Sequence, residues 1–182
     1  MKSLAGFTKL ELLVSMSILG LLTAIATPAF LNWLPGYRLK GAARELYSNL
    51  QLAKAGAIKD RGEWAIKFDA SDNSYQVVSG GPDRRCSTPD DNVVLKTVSL
   101  RSYGSGLSFG RGSATRKVGR NEPIGDCVSY PGDRVVFNSR GMTTGTLGGY
   151  AYLTNERSAC FAVGTWSTGI VVLRKWNGKT WE

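Results

Sequence analysis

Between Leu12 and Tyr37 the chain carries no charged residue. Within that stretch, LLVSMSILGLLTAIATPAFLNWL, residues 12–34, forms 23 uncharged and mainly apolar positions. A helix needs about 20 such residues to cross the hydrocarbon layer of a membrane. A cleaved secretory signal fits poorly, because its apolar core runs to only ~7–15 residues. Here an acid, Glu11, also interrupts the entrance to the run. A buried core helix rarely goes so long without a charge. The segment is therefore predicted to span a membrane.

Glu11 is the only acid in the first forty-four residues. A charged side chain costs roughly 2.5–3.5 kcal/mol at the bilayer centre, and less at the edge, where it reaches the headgroups. An unpaired charge in a low-dielectric setting is penalised, whereas an amine–carboxylate pair is attractive. Glu11 therefore calls for a cation. Cleavage after Gly6 would supply one: Phe7 would then carry a free amine, with Glu11 as the fifth residue of the shortened chain.

The stretch Gly6-Phe7-Thr8-Lys9-Leu10-Glu11-Leu12-Leu13 resembles the class III signal of type IV pilins and type II secretion pseudopilins. The resemblance implies a leader peptide over residues 1–6, MKSLAG, with Lys2 as its basic residue. It implies cleavage by a prepilin peptidase between Gly6 and Phe7, N-methylation of Phe7, and docking of subunits through Glu11 on a neighbour's N-terminal amine. Pro28 matches the helix-kinking proline of the family. Lys9 departs from the usual apolar residue at its position. The partners implied are other pilin or pseudopilin subunits, the prepilin peptidase and an inner-membrane assembly platform. The implied location is the inner membrane, single-pass with a periplasmic head, and then a filament.

After Pro35-Gly36, a second expected bend or break, apolar residues recur at Leu39, Ala43, Leu46, Leu50, Ala53 and Ala57. These alternating steps of four and three form one stripe of an amphipathic helix. Residues 7–36 thus read as the membrane and assembly half of a long helix, and 37–60 as its amphipathic half. A straight helix from Phe7 to Asp60 would measure about 80 Å at 1.5 Å per residue, so half of it needs partners outside its own chain. Residues 61–182 read as a β-rich head. Strands are expected at 63–68, 75–78, 93–100, 134–137, 149–153, 159–163 and 169–176, with no second helix. The fold class expected is α+β: a long N-terminal helix on a mostly antiparallel β-sheet, the pilin fold. The segments Val136-Phe137-Asn138-Ser139-Arg140-Gly141-Met142-Thr143 and Val163 to Leu173 resemble the head of the GspH/FimT branch. A minor type IV pilin like FimT or FimU is the first reading, and a GspH-type minor pseudopilin the alternative.

From Asn92 to Asn121 there is no acid, but there are six cations: Lys96, Arg101, Arg111, Arg116, Lys117 and Arg120. The centre, GRGSATRKVGR, reads as an exposed, flexible loop. One reading is phosphate contact with DNA through Arg111, Arg116, Lys117 and Arg120, which fits the link of some FimT-like pilins to DNA uptake. The other is a solvated loop, or a patch facing acidic neighbours in a filament. The Arg-rich closing motif of DNA-binding relatives is lacking; only Arg174, Lys175 and Lys179 stand near the C-terminus. Tyr103 and Phe109 are the only aromatics near the loop in sequence.

Three widely separated cysteines show no metal spacing. Either Cys86 pairs with Cys127, both in loop-like sequence, or all three thiols stay free. Cys160 reads as a small core residue. The chain has no histidine, which removes the commonest acid/base group. No nucleophile elbow or phosphate loop is present. Asp90-Asp91 could hold calcium only weakly. No enzyme activity, cofactor or metal is predicted.

Overall fold

The computed structural model describes residues 8–88, 91–104, 106–145 and 148–182. The leader, the cleavage site at Gly6–Phe7 and Asp90 lie outside the described residues. The chain divides between Pro35 and Gly36 into two units.

One helix, α1 (Lys9–Asp60), contributes to both. It is long and apolar enough to cross a membrane. In the first unit its side chains are exposed from Lys9 to Trp33. The bend or break expected at Pro35-Gly36 does not interrupt it, and the helix also runs through Pro28. Each proline lacks an N–H, so the carbonyls of Ala24 and Leu31 lose their usual donors. Four hydroxyls in this segment are all satisfied locally. Ser15, Ser17, Thr23 and Thr27 donate to the carbonyls of Glu11, Leu13, Leu19 and Thr23, at 2.7–2.8 Å. Such back-bonding competes with helix geometry in water but leaves no hydroxyl bare in an apolar medium.

In the second unit the stripe read from sequence is fully buried: Leu39, Ala43, Leu46, Leu50, Ala53 and Ala57 all lie in the core. The helix ends as expected at Asp60. The N–H of Arg61 bonds the Ile58 carbonyl, and the N–H of Gly62 reaches back to Ala57 at 3.1 Å. Arg61 takes the left-handed conformation, φ 51°, which is the Schellman stop, here without glycine at its usual place.

The strands form two four-stranded antiparallel sheets where the sequence suggested one. The first contains β1 (Trp64–Asp69), β2 (Ser74–Ser79), β3 (Val93–Ser99) and β5 (Arg134–Phe137), in the order β3-β2-β1-β5. The second contains β4 (Ser108–Phe109), β6 (Gly148–Thr154), β7 (Cys160–Trp166) and β8 (Val171–Lys175), in the order β4-β6-β7-β8. The two-residue β4 was not foreseen, being too short to show alternation. One core joins α1 to both sheets. Phe68 of β1 stacks on Tyr130 with ring centroids 5.6 Å apart and meets Phe109 of β4 edge-on at 5.9 Å. The only buried polar residue on α1, Asn49, donates to the Tyr75 hydroxyl at 2.8 Å, so no polar group is left unmatched there.

A smaller core lies on the far face of the second sheet, built from Ala114, Ile124, Tyr152, Cys160, Ala162 and Trp176. Burial raises the Cys86 thiol to about 11 and the Cys160 thiol to about 12. It pushes the Tyr152 phenol to about 12, and those of Tyr75 and Tyr130 higher still. All five groups are neutral when folded and ionise more easily when unfolded. Stability is therefore complete below about pH 9, the unfolded thiol range, and falls as pH rises from there through the folded values. Titrating the chain from pH 8 to 11.5 should show head unfolding by tryptophan fluorescence above about pH 10. A flat profile to pH 11.5 would contradict the burial of these groups.

Candidate functional site

At the start of α1 the Thr8 hydroxyl accepts the N–H of Glu11 at 3.2 Å. Thr8-Lys9-Leu10-Glu11 is a Thr-x-x-Glu sequence, the pattern of a capping box, in which an N-cap hydroxyl and a glutamate three residues on satisfy the first helical N–H groups. The sequence reading passed over Thr8, although that spacing was visible. The helix start also favours an acid near its positive end. Glu11 is exposed, as are its apolar neighbours Leu10, Leu12 and Leu13.

The basic segment is not the free loop that its composition suggested. Ala114 is buried and Val118 packs on the far-face core. Ser113 donates to Ser158, and Lys117 to Glu122, each at 2.8 Å through the backbone. The indole N–H of Trp181 donates to the Arg116 carbonyl at 2.7 Å. Lys175 and Glu182 exchange two backbone bonds, Trp176 bridges Trp181 and Asn177 donates to Thr180, closing a C-terminal hairpin through the Gly178-Lys179 turn against the segment. A Gly-X pair between tryptophans is a hairpin signal, and it went unread.

This arrangement keeps three of the four candidate DNA contacts together. Arg116, Lys117 and Arg120 line one shallow concavity with Lys179 and Trp181, and Lys117 and Arg120 also line a neighbouring one of about 590 Å³ with Arg174, Tyr150, Trp166 and Trp181. Arg111 lies apart, with Ile124, Asp126 and Cys127. Half of the six cations already face carboxylates: Lys96 on Glu45 at 2.7 Å, Arg101 on Asp72 at 3.8 Å and Lys117 on Glu122 at 3.0 Å. The Glu122 carboxyl is held below its usual range by the Lys117 hydrogen bond. The aromatics expected near the segment are elsewhere. Phe109 is in the main core, and Tyr103 lies against Gly41 of α1.

The Cys86–Cys127 disulfide is not formed; all three thiols are free. The two residues are tied to different sheets. The Cys86 N–H donates to the Glu63 carboxylate beside β1 at 2.8 Å, while the Cys127 carbonyl accepts the N–H of Tyr152 in β6 at 2.8 Å. Cys160 is buried, as read. Among the described residues no cluster of three metal-ligating side chains occurs.

A family model described as Type II transport protein GspH matches residues 42–169, well over half of the chain. The chain belongs to the GspH family. Solved structures agree on the fold. The minor pseudopilin EpsH from the Type 2 Secretion System of Vibrio cholerae has a TM-score of 0.51 at 14% identity, covering 75% of this chain and 95% of that one. The type IV minor pilin FimU of Pseudomonas aeruginosa also has a TM-score of 0.51, at 13% identity, covering 79% of this chain and 92% of that one. No curated protein sequence matches the chain. As a member of the GspH family the chain is a structural pilin or pseudopilin subunit that assembles with other such subunits. The apolar half of α1 agrees with membrane anchoring.

Proposed function

We propose that this GspH-family chain is a minor pilin subunit that waits in the inner membrane with its head in the periplasm and is extracted into a type IV pilus. Prepilin peptidase cuts between Gly6 and Phe7 and methylates the Phe7 amine. Glu11 then pairs with that amine on a neighbouring subunit, and Pro28 lets the apolar helix bend as it joins the bundle. The observation that carries this reading is the uncharged span behind a single acid, attached to a GspH-type head. A span with its apolar side chains exposed needs either lipid or other helices. Filament assembly exchanges the first for the second.

A GspH-type pseudopilin of a type II secretion system is the second reading, favoured by the likeness to EpsH, which equals that to FimU in TM-score. A deletion strain separates the two. Loss of surface pili with normal protein secretion supports the pilus; the reverse supports the pseudopilus. N-terminal sequencing of the protein from native cells tests the common part of both readings. The chain should begin at Phe7, and a chain beginning at Met1 removes the pilin route.

Contact with DNA is a finer reading, supported by the acid-free stretch 92–121 and by the grouping of Arg116, Lys117 and Arg120, and opposed by the pairing of Lys117 with Glu122. Replacing Arg111, Arg116, Lys117 and Arg120 together by Ala tests it on the full chain in detergent. If DNA is bound there, retention falls steeply with salt and is lost in the variant; retention equal to wild type assigns any binding to another surface.

A further inference from the structure

Resting on the reading of this chain as a filament subunit, we propose that the far face of the second sheet docks the head of a different, acidic pilin-like subunit, and not a second copy of this chain. Side chains alternate across a sheet. The register pairs Tyr150 with Gly164 and Gly164 with Val172, which sets Tyr150, Val172 and Arg174 on the face away from the main core. Trp166 and Ile170 extend that row, joined by the Trp166 N–H on the Ile170 carbonyl at 2.9 Å. Both are large and apolar, yet Trp166 is 52% exposed and Ile170 50%.

The floor is flat for a physical reason. A Cβ at Gly164 would sit 2.1 Å from the Gly149 carbonyl oxygen and 2.4 Å from the Tyr150 ring. Glycine is therefore needed there, and the Tyr150 ring lies flush over it. The Trp166 indole N–H donates to the Tyr150 hydroxyl at 3.2 Å, so the tryptophan is held in place before any partner arrives. Preorganised aromatic side chains of this kind lose little freedom on docking.

Trp, Tyr and Arg dominate the energetic centres of protein interfaces. Ile170 and Val172 make part of the row aliphatic, which suits an apolar side chain of a protein partner and offers a base no ring to stack on. The surface thus fits protein better than nucleic acid. The charge of the partner follows from the rim. No carboxylate among the described residues lies in ion-pair distance of Arg120 or Arg174; Glu122, paired with Lys117, acts on Arg120 only from farther off, so the cations Lys117, Arg120 and Arg174 outnumber the one carboxylate bordering the apolar centre. Two copies of a chain with net charge +9 would repel across such a rim, whereas acidic residues around an apolar knob would complement it.

The test is photocrosslinking in native cells with p-benzoylphenylalanine placed at Ile170 of the full-length chain, and at Leu52, exposed on α1, as the control position. The expected product is an adduct from Ile170, at least tenfold above that from Leu52, with another pilin-like subunit whose head is acidic by sequence. The double charge reversal Arg120→Glu with Arg174→Glu should reduce that adduct at least tenfold. It should leave the thermal midpoint, membrane level and Phe7 terminus unchanged. Trp166→Ala should act in the same direction. An adduct with a second copy of this chain, with nucleic acid or with an unrelated protein overturns the proposal. So does the absence of any adduct while the chain is present in sheared filaments, which leaves the filament reading standing. If the chain never reaches filaments and keeps its first six residues, it is the filament reading that fails.

Discussion

Replacing Glu11 by Val is expected to leave cleavage after Gly6 intact and to exclude the chain from filaments. The replacement suits the membrane segment, so insertion and helix formation should survive. What it removes is the carboxylate that would meet a neighbour's terminal ammonium. An ammonium left buried without its partner is destabilised by about 3–5 kcal/mol, which corresponds to a loss of at least a hundredfold in incorporation. Glu11→Asp keeps the charge on a shorter arm and should retain part of the activity. Quantifying the chain in sheared filaments against the membrane fraction gives the answer. Normal incorporation of Glu11→Val would end the docking role of this residue. A variant that fails to be cleaved would instead assign Glu11 to recognition by the peptidase.

The second large effect is expected at Leu46. It is fully buried in the core that joins α1 to both sheets, so truncation opens a cavity that no single layer can close. Leu46→Ala should destabilise the head by about 2–5 kcal/mol, a large part of the roughly 5–15 kcal/mol that holds a domain folded. Leu46→Met keeps most of the volume and should lose less than about 1.5 kcal/mol. Leu52→Ala, on the exposed side of the helix, should stay within about 0.5 kcal/mol. Denaturant titration of the detergent-solubilised chain, followed by fluorescence of the head tryptophans, compares the three. Equal midpoints for Leu46→Ala and Leu52→Ala would contradict the packing described for α1.

The long helix was legible because two different periodicities announced it: a continuous apolar run up to Leu34, then the stripe from Leu39 to Ala57. Each strand that begins and ends at a clear polarity change was legible too, as at Arg134–Phe137. The division into two sheets was not. It depends on which strands pair, and β5 joins β1 across more than sixty residues of chain, a distance over which local pattern carries no information. The far-face core was hidden for a related reason. Strand β7 is buried from Cys160 to Thr165 because the basic segment and the C-terminal hairpin cover one side of it. An uninterrupted apolar run says that both faces are covered but not by what. The same ignorance of pairing hid that Cys86 and Cys127 are held by different sheets and that Arg111 lies away from the other three candidate DNA contacts. Lys117 and Arg120 meet Arg174 only because the sheet brings β8 beside the segment. Thr8 is a different kind of miss, since its spacing to Glu11 needed no tertiary knowledge.

The four hydroxyls bonded back along α1 bear on how such a rod could change surroundings. Ser15, Ser17, Thr23 and Thr27 each hold a carbonyl of their own helix, so they demand nothing of whatever lies outside. Fatty-acid tails and the flank of another rod are interchangeable to them. Transfer of the subunit from one environment to the other would break none of these bonds on the way, and under the proposed docking role the choice of position falls to the lone carboxylate of Glu11.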